Sequence, residues 1–149
     1  MPGQQGIPGV QGAAGVSEVT VVNIPQWVLS SATPFSVSNS QSFGTFEAGK
    51  SYLLHIYVSC VSTNSNMSLG IDLISAGASI TFSYSRGYSL YANYSANQRV
   101  LTFEITAVLV TDAANTSLSL RVIDGLGDSG ASPLTLTGKA YITPVGSIR

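Results

Sequence analysis

Ser51-Tyr52-Leu53-Leu54-His55-Ile56-Tyr57-Val58-Ser59-Cys60-Val61 is the stretch that decides the fold. Read with a period of two, it puts Tyr52, Leu54, Ile56, Val58 and Cys60 on one side. Leu53, His55, Tyr57, Ser59 and Val61 fall on the other. That is a β-strand, and both of its sides are largely apolar. A strand wetted on one side alternates more cleanly, so the second side is expected to be covered too.

The chain on either side of this strand reads in the same way. Val19, Val21 and Ile24 begin a strand region, which Pro25-Gln26-Trp27 interrupts. Residues from Val28 to Phe35 read as irregular or short-strand chain. Val37 to Phe46, rich in Ser, Asn and Gly, reads as hairpin-like. Glu47-Ala48-Gly49-Lys50 is a turn. Beyond the central strand, Leu69, Ile71 and Leu73 alternate, Gly77 turns the chain, and Ile80, Phe82 and Tyr84 alternate again. Ser85 to Asn97 is a polar, tyrosine-rich stretch. Arg99 to Val110 then sets Leu101, Phe103, Ile105, Ala107 and Leu109 against Val100, Thr102, Glu104, Thr106, Val108 and Val110. After a turn at Asp112 to Thr116, Leu118, Leu120 and Val122 face in, with Ser117, Ser119 and Arg121 facing out. Asp124 to Gly130 is a glycine-rich loop, and Leu134, Leu136, Ala140 and Ile142 close the sheet. No segment carries a helical period. About eight to ten short strands fit an all-β chain, a two-sheet antiparallel sandwich of jelly-roll type.

A different pattern precedes the strands. Glycine stands at Gly3, Gly6, Gly9, Gly12 and Gly15. Glycine at every third position is the collagen pattern, in which three polyproline-type chains wind round an axis that admits no Cβ. Residues 1–17 therefore read as a collagen-like Gly-X-Y leader or anchor, and 18–149 as the head. One chain cannot make a triple helix, so the leader implies a homotrimer. The alternative is a flexible glycine-rich leader. The leader is poor in proline, so the head is expected to hold the three chains in register. Extended at polyproline spacing it spans roughly 45–50 Å.

Composition narrows the function. Only 9% of residues are charged and the formal net charge is -1. With no basic excess, nucleic acid is not an expected partner. With so few charges, much uncharged surface is expected to pack against other chains. Cys60 is the one cysteine, which leaves no intrachain disulfide and no cysteine metal cluster. In an apolar strand it reads as a small buried hydrophobe. No apolar run reaches the roughly 18 residues of a membrane helix. The N-terminus carries no charged region followed by an apolar run, so it reads as having no signal peptide: either the protein is not exported by that route, or this is a mature or trimmed chain.

Three segments carry a family resemblance. Phe46-Glu47-Ala48-Gly49-Lys50-Ser51-Tyr52, followed by alternating apolar residues, is similar to the lead-in to the central strand of the complement and tumour-necrosis-factor-like heads. Asp124 to Gly130 resembles their loop before the last strand. Leu136-Thr137-Gly138-Lys139-Ala140-Tyr141-Ile142 looks like their closing strand. A glycine-repeat leader running into such a head also resembles the collagen-stalked trimeric tips of spore-surface filaments and of phage or viral spikes. The resemblance implies a compact homotrimer with both termini near one end. The sheet that holds the central strand, the Arg99–Val110 strand and the closing strand would line the three-fold axis. The outward positions Leu53, Tyr57, Val108, Val110 and Tyr141 would then form the trimer contact, against ordinary intrachain packing as the alternative.

Catalysis has little to work with. His55 is the only histidine, lies mid-strand among apolar residues, and has no Gly-x-Ser-x-Gly motif to serve. It reads as an interface or half-buried residue. The alternative is that three copies gather near an axis to hold a metal or respond to pH. Asp124 and Asp128 bracket glycines, as in oxygen-rich calcium loops, but fall far short of an EF-hand and read as solvated turn residues. Asp72 and Glu104 read as paired charges. No catalytic residue, cofactor or metal ligand is assigned. Tyr84, Arg86, Tyr88, Tyr91, Asn93 and Tyr94 form the best recognition surface, suited to a glycan or protein receptor; the alternative is a structural flap. Asn66, Asn93 and Asn115 sit in Asn-x-Ser/Thr triplets that chance explains in a serine-rich chain. The expected protein is a non-enzymatic trimeric head of a virion spike or fibre, joined through its leader to other virion or surface structural proteins. Two alternatives stand beside it: a secreted ligand or pattern-recognition head, and a carbohydrate-binding module. The corresponding locations are the virion surface, the secreted state, or a spore or cell surface.

Overall fold

The computed structural model describes residues 18–63, 68–75, 78–91 and 99–146, with 78–91 described through backbone path and pairing. Nine strands follow in order: β1 Thr20–Leu29, β2 Ser36–Asn39, β3 Phe43–Phe46, β4 Ser51–Ser62, β5 Leu69–Ser75, β6 Ala78–Tyr91, β7 Arg99–Thr111, β8 Thr116–Asp124 and β9 Leu134–Val145. The only helical turn among the described residues is a 3-10 turn at Asp128–Gly130. No helix there is long and apolar enough to cross a membrane.

The strands form two antiparallel sheets. One has the order β1-β9-β4-β7-β6; in the other β8 pairs with β2, β3 and β5. The sheets face each other across one apolar core, the arrangement of a β-sandwich. From β4 the core takes Leu54, Ile56, Val58 and Cys60; from β7, Ile105, Ala107 and Leu109; from β9, Leu136 and Ala140. Leu118, Leu120 and Val122 of β8 and Phe46 of β3 meet them from the second sheet. The period-two reading of β4, β7 and β8 therefore matches the buried faces.

Three local expectations change. The Pro25-Gln26-Trp27 interruption does not end β1. The strand passes through it with a register shift between Ile24 and Trp27. A proline without an N–H is tolerated because β1 is the edge of its sheet. The segment from Val37 to Phe46 is not a hairpin: β2 and β3 do not pair with each other. They follow one another along β8, β2 at Arg121–Asp124 and β3 at Thr116–Leu118. Ser40 bridges the gap. Its N–H donates to the Leu120 carbonyl at 2.8 Å, and its hydroxyl accepts from the Leu120 N–H at 2.9 Å. A side-chain oxygen thus fills a missing rung of the ladder. The polar, tyrosine-rich stretch is strand as far as Tyr91.

The loop after β8 corrects a fourth expectation. Asp124 is not a solvated turn residue: it is 3% exposed. Its carboxylate accepts from the backbone N–H groups of Leu126, Gly127 and Ser129 at 3.0–3.1 Å. Ser129 in turn exchanges hydrogen bonds with the backbone of Ser31, which clasps the loop to the chain between β1 and β2. Gly127 holds φ at 74°, and a Cβ there would lie 2.7 Å from the Pro34 nitrogen. Only glycine fits both the backbone conformation and the approach.

Burial on its own raises the Asp124 pKa, but the Ser129, Gly127 and Leu126 donors outweigh it and hold the carboxyl below its usual 3.8. A carboxylate depressed on folding adds stability above its unfolded pKa, and that stability is lost as pH falls through the folded value. Asp124→Asn is expected to cost about 1–3 kcal/mol at pH 7, with the cost shrinking below about pH 4. Urea unfolding at pH 7 and pH 3 measures both; an equal cost at the two pH values would show that the charge contributes nothing.

Candidate functional site: the outward face of the five-stranded sheet

Because β4 pairs with β7 and β9 along nearly its whole length, the outward side chains line up in rows across the sheet. Thr143, Leu53 and Val108 form one row. Tyr141, His55 and Thr106 form the next, then Lys139, Tyr57 and Glu104, then Thr137, Ser59 and Thr102. Val21 of β1 extends the Tyr141 row. All five positions expected at a trimer contact lie on this face. Leu53 is 42% exposed and Tyr57 41%, while Val108, Val110 and Tyr141 are half-buried.

The face is not uniform. Its apolar half, with Val21, Leu53, Val108, Val110 and Tyr141, lies toward the row of Ser51, Val110 and Val145. Glu18, the first described residue, lines a groove with Thr20, Lys50 and Pro144 at that same end. The described chain therefore begins at the apolar end of the face. Beyond Tyr57 comes one row of hydroxyls, Thr137, Ser59 and Thr102, and then Thr135, Val61 and Val100.

Charge enters in the middle. The His55 imidazole and the Glu104 carboxylate are 2.8 Å apart, Nε2 to Oε1. The His55 ring also stacks on Tyr57, centroids 4.8 Å apart with 16° between planes. Tyr57 meets Tyr141 edge-on at 5.9 Å. His55 is thus held on two sides, by a carboxylate and by a ring. Asp72 pairs with Arg121 at 2.9 Å on the other sheet. A groove of about 560 Å³, lined by Leu53, His55, Tyr57, Thr106, Tyr141 and Thr143, covers the apolar side.

Of the tyrosine-rich candidates, Tyr84, Arg86, Tyr88 and Tyr91 lie on β6, at the edge of the sheet. In register along β6, Tyr84 stands opposite Thr106, Arg86 opposite Glu104, Tyr88 opposite Thr102 and Tyr91 opposite Arg99. Tyr84, Arg86 and Tyr88 thus continue the outward rows of Thr106, Glu104 and Thr102 onto β6, while Tyr91 has the opposite parity. Asn93 and Tyr94 lie outside the described residues, as do the leader glycines and Asn66. Among the described residues, no group of three His, Cys, Asp or Glu side chains could hold a metal ion. Sequence reasoning left Ser59, Thr102, Thr106, Thr137, Lys139 and Thr143 unassigned. Each is an ordinary strand residue until the register sets it beside its neighbours.

Compared with known proteins, the chain matches no family model, no curated protein and no solved structure.

Cys60 lies on the opposite face of β4, fully buried, and burial pushes its thiol up to about 12. A thiol-disulfide reagent at pH 8 is expected to label it at least roughly a hundredfold more slowly in the native protein than in urea. Rapid native labelling would mean that the inner face of β4 opens readily.

Proposed function

We propose that this chain is a non-catalytic structural protein, the jelly-roll head of a homotrimeric spike or fibre on a virion surface. The run β1-β9-β4-β7 within the five-stranded sheet, and β8 flanked by β3 and β5 in the other, support the jelly-roll reading, with β6 extending the first sheet beyond β7. One observation carries the oligomer. The outward face exposes Val21 and Leu53 in an apolar half that lies at the end where the glycine-repeat segment enters. A glycine-every-third segment needs two more copies of itself, and three copies brought together at that end would set these apolar halves against one another. Burying them removes carbon from water and asks for few charge partners. The leader would then align the three chains and dock them on other structural proteins of the particle, leaving the far end of the head toward a host receptor.

The test is the mass in solution of residues 1–149, of 18–149, and of full-length Leu53→Asp. The reading expects a trimer for the first two and a fall to monomer, at micromolar concentration, for the third. A monomer for the unsubstituted chain at all concentrations would remove it.

A further inference from the structure

Tyr57 divides the outward face, and the two sides of its ring meet different surroundings. One side is closed by the His55 imidazole, and Tyr141 meets it edge-on. Among the residues whose side chains are described, which exclude those of β6, no other ring packs on it. Along β4 the next outward residue is Ser59, and on that side lies a second groove, of about 260 Å³. Tyr57, Ser59, Thr102, Thr137 and Lys139 line it. Its wall is an aromatic ring standing on the sheet. Its floor is a row of three hydroxyls, Thr137, Ser59 and Thr102, contributed in register by β9, β4 and β7. Lys139 flanks the ring in the Tyr57 row, and the carboxylate across from it, Glu104, is held by His55.

We propose that this groove is a saccharide-binding site that takes a carboxylate-bearing pyranose. A pyranose offers an apolar C–H face and a rim of hydroxyls. The Tyr57 ring matches the first: its π-face is electron-rich, and its open side adds apolar area at low entropic cost. The floor matches the second, because each Ser or Thr hydroxyl both donates and accepts and so adapts to a sugar hydroxyl in either role. Lys139 supplies three donors and a positive charge for a ring carboxylate. The His55–Glu104 pair acts as a positioning element. It holds the imidazole flat against Tyr57, which keeps the ring upright. The inference goes beyond the oligomer reading, since the groove lies on the side of Tyr57 away from the leader.

The experiment uses the full chain. A carbohydrate microarray and saturation-transfer NMR with galactose and galacturonic acid are the probes. Saturable binding is expected, with galacturonic acid preferred to galactose. Tyr57→Ala and, separately, Thr137→Arg, which fills the groove from an exposed position, are each expected to weaken binding about tenfold or more. Thermal unfolding checks that both variants fold. Lys139→Met should abolish the preference for the acid. Leu53→Asp should leave binding intact whether or not the mass falls, which separates this site from the oligomer contact. No binding to any arrayed sugar, or binding unchanged in both groove variants, would overturn the proposal.

Discussion

The rest of the molecule depends on β4 being gripped along both edges. Ser51 to Ser62 pairs with β7 residue by residue, and Ser51 to Val61 pairs with β9 in the same way. A central strand has no freedom to slip, because a one-residue shift would send Leu54 and Ile56 to the outside and Leu53 and Tyr57 to the core. The same pairing that seals the core therefore fixes the outward rows. The alignment of Lys139, Tyr57 and Glu104 follows from where Ala140, Ile56 and Ile105 have to be.

Much of this was legible in the sequence, and the limits have physical causes. Alternation is local, so the buried sides of β4, β7 and β8 could be read from one strand at a time. The outward positions Leu53, Tyr57, Val108, Val110 and Tyr141 followed from parity alone. Register is not local. Nothing near His55 says that Glu104 lies within hydrogen-bonding reach, and nothing near Tyr57 says that Ser59, Thr102 and Thr137 form one floor. The Val37–Phe46 misreading has a similar origin. Short Ser-rich runs at hairpin spacing look like mates, but Ser40 keeps them in line along β8 by lending its hydroxyl to the ladder. Asp124 was misread because glycine neighbours suggest an exposed turn. The loop instead folds its own N–H groups inward on the carboxylate.

Charge is scarce in this chain, and several of its charges have a partner within it. Glu104 meets His55, Asp72 meets Arg121 and Lys50 meets Glu47. Asp124 is neutralised by backbone dipoles rather than by a cation. Exposed pairs of this kind add little stability. A paired charge is also less costly than a lone one to set against an uncharged neighbour, since a lone charge there would be stripped of its water without compensation.

The position of β8 has a consequence for biosynthesis. It is the shared partner of β2, β3 and β5, and each of them precedes it in the chain. β9 likewise separates β1 from β4 in the other sheet. A ribosome that has delivered residues up to Ser75 has therefore made five strands, of which neither sheet can yet be closed. Those strands must wait, with open edges, for partners still being translated. Such late, long-range closure slows folding and prolongs exposure of sticky intermediates, so holdase chaperones would be expected to meet this nascent chain early.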